Sequence, residues 1–315
     1  MEYRNLGRSG LRVSVVGLGC NNFGLKLDRE ATRAVVHKAL DLGITLLDTA
    51  NTYGNRGGSE SQLGEILGAR RKDMVLASKF GMDMDDVAVK RGASRCYIMA
   101  AVEESLQRLR TDWIDLYQLH RPDPLTPMDE TLGALGDLVR QGKVRYVGCS
   151  NVPAWQVADA VWLARTGNVT GFISCQDEYN LLNRLIERDL IPAMQRYGLG
   201  LLPYFPLANG LLTGKYKRNA TMPEGARLTL NARFANRDYM TEANWPIVEK
   251  LGDFAAARGR SLLELAFGWT AARPTVASVI AGATTPEQVA ANCQAGRWQL
   301  TAAELAEVDA ITAKG

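Results

Sequence analysis

The sequence predicts a closed parallel barrel of eight β/α units, a (β/α)8 TIM barrel, preceded by an N-terminal β-hairpin. Three observations carry that expectation. Short β-rich runs alternate with longer segments of helical period along most of the chain. The 315 residues show no composition break, and barrels of this kind routinely run that long as one domain. The composition is 46% hydrophobic and 23% charged, enough apolar material for a large core. A single domain over residues 1–315 is therefore expected.

The elements follow in order. Tyr3 to Leu6 and Leu11 to Val13 flank the turn-rich Gly7-Arg8-Ser9-Gly10 and read as the hairpin. The strand runs are then Val15–Gly19, Ile44–Asp48, Met74–Lys79, Ile114–His120, Val144–Ser150, Phe172–Gln176, Gly200–Tyr204 and Val276–Ala281. In Ser94–Leu109, residues Ile98, Val102, Leu106 and Leu109 share one helix face. Leu132, Leu135, Leu138 and Val139 do the same in Met128–Gln141. Ala31–Gly43 carries Val35, Val36, Ala39, Leu40 and Leu42, with Gly43 placed to stop the helix. The longest irregular stretch, Lys217 to about Tyr239, reads as a lid, a binding loop or a tolerated insertion.

An open doubly wound sheet is the rival architecture. It requires G-x-G-x-x-G after the first strand. Here that strand runs into VGLGCNNFG, and Gly17, Gly19 and Gly24 miss the spacing.

Several function classes are disfavoured. The net charge of +3 is weak, and no basic block with interleaved aromatics suggests nucleic acid. Five cysteines, Cys20, Cys96, Cys149, Cys175 and Cys293, include no C-x-x-C pair and read as free thiols in a reducing compartment. His37 and His120 are the only histidines, too few for His-rich zinc ligation, so no metal is expected. The N-terminus lacks the apolar stretch of a signal peptide, and no run is long enough to span a membrane. A cytoplasmic protein is expected.

In a barrel the chemistry belongs at the C-terminal ends of the strands. Those ends offer Asp48 and, five residues on, Tyr53; then Lys79, His120 and Gln176. Strand alternation places Asp48 with Ile44 and Leu46, Lys79 with Val75 and Ala77, and His120 with Ile114, Leu116 and Gln118. If those apolar residues fill the interior, the polar three point into the mouth. Taken singly, each has a plain alternative: a turn Asp, a surface Tyr, a rim Lys, a structural His.

The chain resembles the aldo/keto reductase superfamily over essentially its full length. The resemblance is carried by YRNLGRSGLRVS, DTANTYGNRGGSESQLGEIL, ASKFG, DLYQLHRPDP, GKVRYVGCSN, YFPLANGLLTGK and VIAGATTPEQVAAN, in that order. It implies reduction of an aldehyde or ketone by a nicotinamide cofactor, with a catalytic tetrad of Asp48, Tyr53, Lys79 and His120. Carbonyl reduction needs a hydride at carbon and a proton at oxygen. A tyrosine holds its proton near neutrality, and a neighbouring ammonium stabilises the phenolate left behind. Lys79 would supply that charge, Asp48 would hold Lys79, and His120 would hydrogen-bond the carbonyl oxygen.

The resemblance also implies the cofactor contacts. Ser150, Asn151 and Gln176 match the groups gripping the carboxamide, and Tyr204 the aromatic stacked on the nicotinamide. Gly19, Cys20, Asn21 and Asp48 border the ring. Pro206, Leu207, Gly210 and Lys215 match the pyrophosphate segment. Gly282, Thr284, Gln288 and Asn292 match the adenosine end, at a helix N-terminus suited to phosphate. NADP is the first choice and NAD the alternative, because Gly282, Thr284, Thr285 and Gln288 include no cation for the 2′-phosphate. The loop residues Lys215, Lys217, Arg218 and Arg233 are the other source of charge.

For the substrate, Asn21 stands where many relatives carry tryptophan, and Phe80, Arg121 and Trp155 are candidate lining residues. No long tail follows the last helix, expected to end near Lys314. A polar or open pocket for small or hydroxylated carbonyls is implied, with Cys20 a filler rather than a nucleophile. Two alternatives remain. One is an NAD-dependent sugar or alcohol dehydrogenase of the same fold. The other is a regulatory protein like the potassium-channel β-subunits, disfavoured because no extra N-terminal segment is present.

Overall fold

The Gly7–Gly10 turn folds the N-terminus into an antiparallel hairpin, β1 (Tyr3–Asn5) against β2 (Arg12–Ser14), with Tyr3 opposite Ser14. Gly7 adopts φ +58°, and a Cβ there would lie 2.6 Å from the Gly198 carbonyl and the Gly200 amide. Only glycine lets the hairpin seat this closely. The computed structural model describes residues 1–84, 90–221 and 239–313.

Eight parallel strands follow: β3 (Val16–Gly19), β4 (Leu46–Asp48), β5 (Val75–Phe80), β6 (Ile114–Leu119), β7 (Val144–Ser150), β8 (Ser174–Gln176), β9 (Gly200–Leu201) and β10 (Val279–Gly282). They pair in the order β10-β3-β4-β5-β6-β7-β8-β9. Leu201 bridges Val276 in parallel, and the Leu201 amide donates to the Thr275 carbonyl at 2.7 Å, closing the circle. The barrel and hairpin are as expected. The expected last run, Val276–Ala281, is divided: Val276 serves β9, whereas Val279–Gly282 pairs with β3. A strand at a staggered barrel seam faces its two neighbours at different heights. Likewise Gly200–Tyr204 contracts to Gly200–Leu201, and Phe172–Gln176 to Ser174–Gln176.

Alternation along the strands separates two cores. Leu46, Ala77, Leu116, Leu202, Ala277 and Ile280 fill the barrel interior, and Leu6 and Val13 of the hairpin plug it from below. The expectation that Ile44 and Ile114 join them is corrected. Both belong to the layer between barrel and helices, since Ile44 precedes β4 and Ile114 only begins β6.

The helices cover that outer layer: α1 (Arg29–Asp41), α2 (Tyr53–Leu67), α3 (Arg95–Leu109), α4 (Met128–Arg140), α5 (Ala154–Thr166), α6 (Leu190–Tyr197), α7 (Trp245–Ala256), α8 (Leu262–Ala271), α9 (Pro286–Ala295) and α10 (Ala302–Thr312). Asp28 caps α1 by accepting from the Ala31 amide at 2.9 Å, and Ser94 caps α3. Gly43, at φ +81°, follows α1 as its expected stop. Among the described residues no helix is long and apolar enough to cross a membrane. Arg233 and most of the stretch from Lys217 to Tyr239 lie outside the described residues, as does Lys314.

Candidate active site

Strand alternation lifts a polar layer directly above the apolar interior. Asp48, Lys79, Gln118 and Gln176 sit two residues beyond Leu46, Ala77, Leu116 and Ser174 on their own strands. All four side chains are buried. Lys79 donates to Asp48 Oδ2 at 2.7 Å and to the Thr49 carbonyl at 2.9 Å, and its Nζ stands 3.4 Å from the Tyr53 hydroxyl. A buried ammonium is tolerated only when it is paired and hydrogen-bonded in this way.

Tyr53 comes from the loop after β4, and its position depends on an unusual turn. Gly54, Asn55, Arg56 and Gly57 all have positive φ, so the right-handed run of α2 begins only after them. At Gly54 a Cβ would lie 2.4 Å from the Ser59 amide and 2.5 Å from the Phe23 carbonyl. Ser59 donates to the Cys20 carbonyl at 2.9 Å, tying α2 to the end of β3. Below it, the fully buried Glu60 accepts from Arg108 Nε at 2.7 Å and from the Ser78 hydroxyl at 2.5 Å. Arg108 also packs where any side chain at Gly57 would stand. The sequence reading missed this anchor; the glycine pair in NRGG was its visible signal.

His120 follows β6, buried, and its ring meets that of Tyr53 in a T-shaped contact with 5.7 Å between centroids. Its Nδ1 is buried and has no hydrogen-bond partner among the described residues. Burial, followed by the Lys79 and Arg121 charges, holds its pKa well below the ordinary 6.5, so the imidazole is neutral. Burial raises the Tyr53 hydroxyl above its ordinary 10, against the opposing pull of Lys79. For Lys79, burial lowers the pKa, but Asp48 and Tyr53 outweigh it and the net shift is upward. The resting pair is therefore a protonated phenol beside an ammonium.

The other expected residues divide into groups. Ser150 donates to the Gln176 carbonyl at 2.8 Å, and Asn151, at φ +59°, donates to the His120 carbonyl at 3.1 Å. Tyr204 donates to Asn151 Oδ1 at 2.7 Å, so these four stand together at one side of the mouth. Gln176 gives its amide to Asp48 Oδ1 at 2.8 Å, a link between these two residues that the sequence did not reveal.

At the seam Gly19 and Gly282 are direct partners, with Asn21 and Asn22 beside Gly282. Thr284 donates through both amide and hydroxyl to Gln288 Oε1, and Thr285 caps α9 through the Gln288 amide. Asn292 is buried on the same helix. The segment after Tyr204 holds Pro206 and Leu207 and turns through Phe205, Ala208, Asn209 and Gly210 at positive φ. There the Lys215 ammonium stands near Gly210.

Phe80 is a correction. It alternates with Lys79 and faces outward, fully buried against Tyr117 at 4.8 Å between ring centroids. It cannot line the mouth. Arg121 is exposed beyond His120, and Trp155 is exposed on α5. Cys20 is fully buried, and burial together with Asp48 raises its thiol well above 9.0, which suits a filler.

Strand ends without side chains at Gly19 and Gly282, and a buried His120 nitrogen that has no partner among the described residues, are features that a dinucleotide and its carbonyl partner fit. A model of the aldo/keto reductase family matches residues 15–313. The chain is 37% identical to the L-glyceraldehyde 3-phosphate reductase of Escherichia coli (strain K12), over 100% of this chain and 93% of that one. It is 37% identical to a probable voltage-gated potassium channel subunit beta of Oryza sativa subsp. japonica, over 94% and 91% of the two chains. It is also 38% identical to the uncharacterized oxidoreductase YrpG of Bacillus subtilis (strain 168), over 92% and 89%.

Proposed function

The chain belongs to the aldo/keto reductase family, and we propose that it is a cytoplasmic NADPH-dependent reductase of small aldehydes or ketones. The observation that carries this reading is Lys79, 2.7 Å from Asp48 and 3.4 Å from the Tyr53 hydroxyl at the open end of the barrel. Tyr53 is the general acid. It gives its proton to the carbonyl oxygen, and the Lys79 ammonium stabilises the phenolate that remains. Asp48 keeps Lys79 charged and aimed. His120, neutral, donates one ring N–H to the carbonyl oxygen and fixes which face of the substrate is presented. A nicotinamide held here would supply the hydride.

Ser150, Asn151, Gln176 and Tyr204 would hold the nicotinamide, with Gly19, Cys20 and Asn21 at its border. Pro206, Leu207, Gly210 and Lys215 would hold the pyrophosphate, and Gly282, Thr284, Gln288 and Asn292 the adenosine. NADP is favoured by Lys215 beside Gly210, and NAD is the alternative because residues 282–288 hold no cation. Dissociation constants for NADPH and NADH decide the matter; a tenfold preference for NADH overturns the choice.

Asn21 and Arg121 suit a small polar substrate. Glyceraldehyde 3-phosphate, the substrate in the name of the Escherichia coli relative, belongs in the assay beside glyceraldehyde and a nitrobenzaldehyde. NADPH oxidation dependent on any of them supports the reading. The resemblance to channel β-subunits motivates a second one, a regulatory role. Tight NADPH binding with no turnover of any carbonyl would favour it.

A further inference from the structure

The polar layer contains one side chain that the mechanism leaves unused. Gln118 is fully buried in β6, its Cα paired with that of Lys79 on one side and Gly148 on the other. Gln118 Nε2 donates to Asp48 Oδ1 at 3.3 Å. Gln176 Nε2 reaches the same Oδ1 at 2.8 Å and lies 3.5 Å from Gln118 Oε1. Asp48 Oδ2 is taken by Lys79. One carboxylate thus sits between an ammonium and two amides, and the two amides come from strands offset by two residues, so that Gln118 reaches forward to meet Gln176 at the carboxylate.

The neighbourhood is shaped for this. At Gly148 a Cβ would stand 3.4 Å from Gln118 Cγ and 2.5 Å from the Ser174 hydroxyl, so the absence of a side chain leaves Gln118 its space. Two residues earlier on the same face, Leu116 is buried without difficulty. An apolar residue at 118 would therefore fill the interior at least as cheaply as an amide that must be hydrogen-bonded when buried.

We propose that Gln118 is a positioning residue, which holds Asp48 on Lys79 and turns the Gln176 amide so that its carbonyl faces the mouth. The proposal rests on the reductase reading above. Its chemistry is electrostatic. The Gln118 N–H dipole offsets part of the Asp48 charge as felt at Tyr53. Without it, the phenolate is harder to form, and Gln176 loses its guide.

The test uses the full chain with Gln118→Met and Gln118→Glu. Four quantities are measured: melting temperature, NADPH dissociation constant by fluorescence, kcat for reduction, and the pH profile of alcohol oxidation. For Gln118→Met, kcat should fall by about tenfold, the scale of one hydrogen bond to a charged group. The acid limb of alcohol oxidation should move to higher pH, because Tyr53 must then act as a base. The NADPH constant should rise severalfold. Gln118→Glu should approach wild type at low pH, where its protonated carboxyl still donates, and diverge as pH rises.

A Gln118→Met protein that melts like wild type and keeps its kcat, pH profile and NADPH affinity overturns the proposal. If that variant does not fold, a Gln118→Glu to wild-type activity ratio that is constant with pH overturns it instead. A wild-type chain that binds NADPH but reduces no carbonyl sinks the reductase reading, and the NADPH constants of the variants then decide on Gln118 alone.

Discussion

The Lys79 ammonium stands 3.4 Å from the Tyr53 hydroxyl, at the end of the barrel opposite the hairpin. An acid placed there is useful only if its conjugate base is stabilised. Tyr53→Phe removes the proton and keeps the ring, so turnover should fall by roughly 10²–10⁴-fold with NADPH affinity nearly intact. Full activity in that variant would refute the assignment of the acid.

The Asp48–Lys79 pair should behave as a unit. Lys79→Met leaves a buried carboxylate without its counter-charge and should cost about 3–5 kcal/mol of stability. Adding Asp48→Asn removes the orphaned charge, so the double variant should be more stable than Lys79→Met alone. Denaturant unfolding of the four species of the cycle gives the answer, and simple additivity would argue against a tightly coupled pair.

His120 predicts a pH dependence with a definite sign. Its folded pKa is held below the ordinary 6.5. Between those two values the unfolded chain binds a proton that the folded chain refuses. Stability therefore falls as pH drops from 6.5 towards the folded value, and this residue contributes no slope above 6.5. His120→Gln should flatten that part of the profile in melting curves taken from pH 7 downwards.

Asp177 predicts the opposite slope. Burial pushes its carboxyl up from 3.8 to about 8, and Oδ2 has no hydrogen-bond partner among the described residues. Between those values the folded chain holds a proton that the unfolded chain releases, so stability falls as pH rises. Asp177→Asn should stabilise the protein at neutral pH, with a gain that grows up to about pH 8 and then levels. Equal gains at pH 5 and pH 8 would rule this out.

Gly54 links backbone shape to chemistry. Its φ is +68°, with backbone atoms of Ser59 and Phe23 inside the reach of a Cβ. Gly54→Ala must displace the turn that carries Tyr53, at a strain of about 1–3 kcal/mol. Stability and kcat should both decrease, and the kcat loss should persist at temperatures well below melting. Unchanged kcat there would show that Tyr53 does not depend on this turn.

The barrel was legible because period-2 runs and period-3.6 segments alternate cleanly, and because the hairpin turn is marked by Gly7 and Gly10. Alternation also put Asp48, Lys79 and His120 on the inner face. The same argument applied one residue later would have sent Phe80 outward, where it lies against Tyr117. What composition could not display are contacts between side chains on different strands and helices. Gln176 reaching Asp48, and Glu60 held between Ser78 and Arg108, depend on barrel register. The division of the last strand between Val276 and Val279 depends on the seam, which no local pattern encodes.

Leu6 and Val13 stopper the lower end of the barrel. Approach to Tyr53 from the hairpin side is thereby closed, and a molecule that meets its hydroxyl must come from the side of the strand ends that carry Asp48 and Lys79.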